Sequence, residues 1–182
     1  SGVPAVPTKD SYGNGGIQKK GICPKSGRLV ESKAGLFDGS NDYVATPLTT
    51  AGMTGLSVAA WVRADQLNLS YPMVVSTQGT GVGFEFGGAG TSNLMEIKLK
   101  AGSWVSAAVT GNASLQLGVW THFCGTYGNG ELKIYVNGEL ANETAAVRDI
   151  STGTAQVNIG ARPAFNWDGA IADVQIYDDA LT

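Results

Sequence analysis

Two carboxylates four residues apart, Asp38 and Asp42, interrupt the apolar run Gly35-Leu-Phe-Asp-Gly-Ser-Asn-Asp-Tyr-Val44. Gly39 between them accepts positive φ and Asn41 tolerates it, so a tight turn can bring both side chains and carbonyls such as that of Ser40 toward one point. Such an array of hard oxygen donors suits Ca²⁺, which takes six to eight oxygens. The competing use of the same aspartates is to close the turn through Asx hydrogen bonds to backbone N–H groups.

Other chemistry is sparse. Glu85 and Glu96 stand alone on separate segments, and hydrolysis of a glycosidic bond would need folding to bring two such acids together. One histidine, His122, offers no support for a Ser-His-Asp or Cys-His arrangement. The Gly-rich stretches 79–83 and 86–90 precede strands, so they lack the helix N-terminus that cradles a phosphate. Cys23 and Cys124 are too few for a zinc site; they are either a disulfide, as an even count in an extracellular chain favours, or two buried thiols.

With 182 residues, 43% of them hydrophobic and 15% charged, the chain suffices for one domain with a sizeable core. A net charge of −3 argues against a partner held through a phosphate backbone, so nucleic acid is not expected. No stretch approaches the roughly 20 apolar residues of a membrane-spanning helix, and no membrane insertion is expected. Residues 1–8, with Pro4 and Pro7, read as a linker, and residues 9–182 as the domain.

The elements that must position these residues are strands. Twenty-six glycines and many short β-branched or aromatic runs indicate closely spaced turns. Leu132, Ile134 and Val136 alternate with polar positions between Asn129-Gly130 and Asn137-Gly138, two hairpin turns around a period-2 strand. Comparable alternation predicts strands near 42–46, 56–63, 73–76, 83–86, 94–99, 104–109, 156–160 and 170–177. So many antiparallel strands in one domain predict an all-β, two-sheet sandwich.

The succession of segments from about residue 10 resembles the laminin G-like, concanavalin A-like jelly-roll family. The resemblance rests on Asp10-Ser-Tyr-Gly-Asn-Gly15, Leu36-Phe-Asp-Gly-Ser-Asn-Asp-Tyr-Val44, Leu56-Ser-Val-Ala-Ala-Trp-Val62, Trp120-Thr-His-Phe-Cys-Gly-Thr-Tyr127, Leu132-Lys-Ile-Tyr-Val-Asn-Gly138, Asn158-Ile-Gly160 and the stretch Trp167 to Leu181. It implies a jelly roll with a structural calcium held by Asp38, Ser40, Asp42 and an acidic residue of the last strand, here Asp173. Ala172 stands where relatives commonly carry a further acid. The resemblance also implies structural roles for Trp61, Trp120 and His122, and the chain lacks the clustered acids of the family's β-glucanases.

A binding face remains. Alternation turns Glu85, Glu96, Lys98, Lys133, Tyr135, Gln156, Asn158, Gln175 and Tyr177 away from the core. Sugars are held by a flat aromatic ring together with planar polar groups, and the residues suited to this are Trp104, Tyr135, Arg162, Asn166 and Trp167. The expectation is a non-catalytic, calcium-stabilised carbohydrate-binding or adhesion domain, secreted or on a cell surface, with a glycan as partner. The alternative is a protein-interaction head domain of a fibre or pilus subunit, in contact with other subunits. A glycoside hydrolase or polysaccharide lyase ranks third.

Overall fold

A computed structural model describes residues 34–77, 81–101, 103–108, 114–162 and 164–181, with only the backbone considered for residues 101 and 103–108. The expected linker 1–8, the opening turn 10–15 and Cys23 lie outside the described residues.

Fourteen strands and no helix make up the described chain. The first sheet has the order β1 (Gly35–Asp38), β14 (Asp168–Tyr177), β3 (Leu56–Ala64), β8 (Thr121–Gly128), β9 (Glu131–Val136) and β10 (Glu139–Ala145). The second has the order β2 (Val44–Ala45), β11 (Val157–Ile159), β4 (Met73–Thr77), β5 (Gly83–Gly88), β6 (Met95–Ala101) and β7 (Ser103–Ala108). A small hairpin, β12 (Ala161–Arg162) with β13 (Phe165–Asn166), stands apart from both. The named pairings are antiparallel, and the two six-stranded sheets make the expected sandwich. No described helix is long and apolar enough to cross a membrane.

The core follows from side-chain period 2 on facing strands. Val58, Ala60 and Val62 of β3, Phe123 of β8, and Leu132 and Ile134 of β9 meet Phe84 and Phe86 of β5 and Ile97 and Leu99 of β6. Asn129 and Asn137 take φ of 52° and 51°, and the glycines after them 79° and 85°. Both two-residue loops therefore have positive φ at each central position, the geometry whose twist matches the strands they join.

Candidate functional site

Period 2 also decides what the second sheet shows on its outward side. Asn158, Ser76, Glu85 and Lys98 are successive partners across β11, β4, β5 and β6. Glu96 and Lys100 flank Lys98 on the same side of β6. Outward polar groups are ordinarily solvated, yet Asn158, Ser76, Glu85 and Glu96 are all buried, and Lys100 is only 9% exposed.

Their cover comes from two loops. Gly160, at φ 89°, sends the chain out of β11, and Ser76 Oγ then donates to the Ala161 carbonyl (3.1 Å), fixing the β12–β13 hairpin over β4. The hairpin closes where Trp167 N–H donates to the Gly160 carbonyl at 2.8 Å. From it Arg162 reaches down, its Nη1 2.9 Å from Glu85 Oε1, with the guanidinium 4.2 Å from the centre of the Phe165 ring. The second loop ends at Tyr71-Pro72, and Gly88 N–H donates to the Pro72 carbonyl at 2.7 Å. A Cβ on Gly87 would overlap that carbonyl, so the missing side chain is what lets the loop lie on β5. Tyr71 itself sits at φ 50°, a conformation that costs about 1–3 kcal/mol for a non-glycine residue. The surroundings hold it: its ring meets Phe165 edge-on at 5.8 Å and 81°, and Lys98 Nζ lies 4.5 Å from its centre.

Lys98 is ion-paired with Glu96. Burial pushes the carboxyls of Glu85 and Glu96 above the usual range, against the pull of Arg162 on the first and of Lys98 on the second. Burial also lowers Lys100, opposed by the charge of Glu85. Hydrogen bonding is incomplete: Asn158 Oδ1 and Arg162 Nε are buried without a hydrogen-bond partner. Incompletely paired polar groups held this way are expensive, and binding sites are where such expense is tolerated. Glu85 and Glu96 are diagonal neighbours across β5 and β6, roughly 7–8 Å apart at Cα. Each is buried against its own cation rather than facing its fellow across an open cleft.

The expected sugar-contacting residues separate. Arg162 is in this site. Position 104 pairs with Lys100 across β6 and β7, and its side chain lies outside the described residues. Asn166 is committed to the turn, donating from Nδ2 to the Ser40 carbonyl at 2.6 Å. Tyr135 pairs with Cys124 in the first sheet, on the opposite side of the molecule. Trp167 corrects an expectation: it is 1% exposed and part of the core, so its ring offers no face to a sugar. It lines a small crevice with Asn68, Pro72 and Asn93. Its position just after the hairpin reads from sequence as a loop tryptophan, whereas its backbone bond to Gly160 where the hairpin closes goes with a ring seated in the core.

The expected calcium ligands also divide. Asp38 pairs with Asp168 across β1 and β14, so Asp173, five positions further along β14, lies on the order of 15 Å away. Asp173 does not join the Asp38–Asp42 turn, which corrects the four-residue set. It sits in a bulge at φ 49°, accepts from Gln175 Nε2 at 3.0 Å, and acts on His122. At the turn, Asp38 Oδ1 accepts from Ser40 N–H (2.9 Å), and Asp42 Oδ2 accepts from Asp38 N–H (3.2 Å). The Ser40 carbonyl is taken by Asn166. Asp168, absent from the expectation, packs against Gly39, where a Cβ would lie 3.1 Å from its Oδ2. Among the described residues no three Asp, Glu, His or Cys side chains are grouped to hold a metal. One carboxylate oxygen of Asp38 and one of Asp42 thus serve the turn itself.

The outward side of the first sheet is different in kind. His122 is buried and packs against Trp61 with ring centres 5.3 Å apart and planes tilted by 58°, and Arg63 lies 5.6 Å from the centre of the Trp120 ring. Burial lowers the imidazole, opposed by the charge of Asp173, and its Nδ1 has no hydrogen-bond partner. Cys124 is fully buried in the same strand; the other member of the expected pair, Cys23, lies outside the described residues.

Residues 38–182 match the model described as the concanavalin A-like lectin/glucanases superfamily. The chain belongs to that superfamily. A search of curated protein sequences returns no match. Among solved structures, this lectin/glucanase chain is similar to domain 4 of AbnA, an extracellular arabinanase of Geobacillus stearothermophilus, in complex with arabinotriose. The identity is 21% and the TM-score 0.68, covering 82% of this chain and 72% of that one. It is also similar to the native heptameric SAP-like pentraxin of Limulus polyphemus, at 20% identity and TM-score 0.63, covering 81% and 76% of the two chains. The CBM40 domain of the Ruminococcus gnavus IT-sialidase matches at 16% identity and TM-score 0.63, covering 82% and 93%. At these identities the likeness shows the jelly-roll fold.

Tyr71, Phe165, Ser76 and Lys100 escaped sequence reasoning. A residue before proline is biased toward extended backbone, so nothing local signals the left-handed Tyr71. Lys100 was legible, since it continues the period-2 alternation of Glu96 and Lys98.

Proposed function

We propose that the protein is a non-catalytic carbohydrate-binding domain, secreted or displayed at a cell surface, that holds a glycan against the outward side of its second sheet. The observation that carries this reading is a floor of buried charged and polar side chains beneath two loops that present Tyr71 and Phe165 at right angles. An aromatic ring takes the C–H face of a sugar, while Arg162 and Lys98 beside the rings supply donors to its oxygens. The ion pairs beneath fix those donors before the ligand arrives, which limits the ordering cost of binding. The binding of arabinotriose by one structural neighbour and of α2,6-sialyllactose by another supports a glycan as the partner class. The non-catalytic part is supported by the way each glutamate is neutralised by its own cation, which leaves neither as an open acid or base.

Heteronuclear NMR titration with a glycan library tests the reading. Resonances of Tyr71, Phe165 and Arg162 should shift together, and Tyr71→Ala combined with Phe165→Ala should weaken binding about tenfold or more while the fold persists. Failure of every glycan to shift these signals at millimolar concentration would reject it.

A protein-contact role has its own observation. Leu36 (71% exposed), Tyr43 (54%) and Val44 (39%) stand on or beside β1 and β2, the outermost strands among the described residues, and strand edges favour association. Concentration-dependent association lost in Leu36→Lys would support it.

A further inference from the structure

Resting on the glycan-binding reading, we infer that the crevice beside Tyr71 is a subsite for the hydroxymethyl arm of a neutral hexose glycan, with Trp167 Nε1 as donor to its primary hydroxyl. The crevice lies between the loop 66–72 and the turn 88–93. Asn68 on its rim is exposed, whereas Pro72 and Trp167 are buried. Trp167 is 1% exposed, and its Nε1 has no hydrogen-bond partner among the described residues. An indole N–H can only donate, so its burial without an acceptor is a cost that an entering oxygen removes. The crevice also adjoins the aromatic pair. Gly90 in its wall accepts from Tyr71 N–H at 2.9 Å, and a Cβ on Gly90 would lie 3.9 Å from the Tyr71 hydroxyl. A sugar resting on the Tyr71 ring therefore has the crevice as its neighbour.

Size and chemistry choose the group. The crevice holds about 10 Å³, room for one oxygen-sized group. A hydroxyl attached directly to a pyranose ring cannot enter so narrow a space without bringing the ring, whereas a hydroxymethyl group reaches in on one carbon. Asp168 lines the same crevice. A hydroxyl can accept from the indole N–H and donate to a carboxylate; an ammonium cannot accept, and an anionic group would meet the like charge of Asp168. The walls are set before a ligand arrives. Asn68 N–H donates to Asn93 Oδ1 at 2.7 Å, and Asn93 Nδ2 donates back to Asn68 Oδ1 at 3.1 Å. Asn68, Tyr71 and Asn93, at φ of 61°, 50° and 56°, gather left-handed backbone around this one crevice, and such strain is characteristic of ligand clamps.

Cellotriose and xylotriose isolate the arm, because they share a β-1,4-linked pyranose framework and differ only in the hydroxymethyl group; mannotriose and galactotriose are further arm-bearing probes. Heteronuclear NMR titration follows the Trp167 indole resonance beside those of Tyr71 and Phe165. At least one arm-bearing trisaccharide should bind about tenfold tighter than xylotriose and show a nuclear Overhauser contact between the Trp167 indole proton and its hydroxymethyl protons. Trp167→Phe, which removes the donor, should abolish the preference. Asn93→Gly, in which glycine accepts φ 56° but the carboxamide tying Asn68 is lost, should reduce it if the first variant folds poorly. Binding of xylotriose as tight as that of every arm-bearing probe, or shifts at Tyr71 and Phe165 with the Trp167 indole unmoved, would overturn the inference while leaving glycan binding intact. Binding of no glycan at all would remove both.

Discussion

Replacing Arg162 with glutamine should destabilise the protein in a way that depends on pH. Glu85 is almost wholly buried, and its nearest cation in the structure is the Arg162 guanidinium at 2.9 Å. Breaking a buried ion pair by removing one partner costs about 3–5 kcal/mol, because an uncompensated charge stays behind. Arg162 keeps 21% of its side chain exposed, and Lys100 also acts on Glu85, so about 2–3 kcal/mol is the reasonable figure at pH 7. That corresponds to a fall in Tm of roughly 5–10 °C for a domain of this size. The sign with pH follows from Glu85, whose folded pKa burial already holds above 4.5 and which Arg162 pulls back down. Without Arg162 the folded pKa rises further, so the variant takes up its proton earlier as pH falls. Once Glu85 is protonated in both proteins, the pair contributes to neither. The deficit should be largest at pH 7–8 and shrink toward pH 4.5. Urea denaturation of wild type, Arg162→Gln, Glu85→Gln and the double variant at pH 7.5 and 4.5 measures both the deficit and its coupling. A deficit of the same size at both pH values would refute the electrostatic account and leave only lost packing against Phe165.

Four further outcomes are expected. His122 is held neutral by burial, with its folded pKa below 6.5, so its contribution to stability is whole above that value and is lost as pH falls into the range beneath; His122→Gln should flatten the stability profile between pH 7 and 5, and an unchanged slope would contradict this. Gly169 has φ 139°, and a Cβ there would overlap the Arg63 carbonyl oxygen and approach Asp65 N to 2.9 Å, so Gly169→Ala should cost upwards of about 4 kcal/mol by parting β14 from β3. Gly118→Ala, at φ 72° in open space, should cost only about 1 kcal/mol, and comparable thermal melts for the two would undo the reasoning. Because the Asp38–Asp42 turn is closed by its own hydrogen bonds, EDTA should move Tm by less than about 1 °C; a fall of several degrees that Ca²⁺ reverses would establish an ion there.

The legible part of the fold lies in repeating local patterns. Leu132, Ile134 and Val136 between two Asn-Gly turns specify a strand and both of its hairpins, because period 2 and positive φ are properties of a few adjacent residues. The same alternation correctly turned Glu85, Glu96, Lys98 and Asn158 outward. It could not show that these outward residues are covered, since burial there depends on hairpin 161–166 crossing β4. Asp173 was misplaced for a related reason. Its distance from Asp38 depends on the pairing of Asp38 with Asp168, a register between segments more than a hundred residues apart. Trp167 reads as a surface aromatic in a polar loop until the direction of that loop is known.

The sequence by itself determined the architecture: apolar alternation, turn residues and their order suffice for an antiparallel sandwich, because burying one face of each strand leaves few other solutions. Only tertiary structure decided which outward face becomes a site. Cross-strand register set Glu85 and Glu96 against separate cations, and two loops with left-handed residues brought Tyr71 and Phe165 together above them. Contacts of that kind join residues distant in the chain, and no local pattern encodes the distances between them.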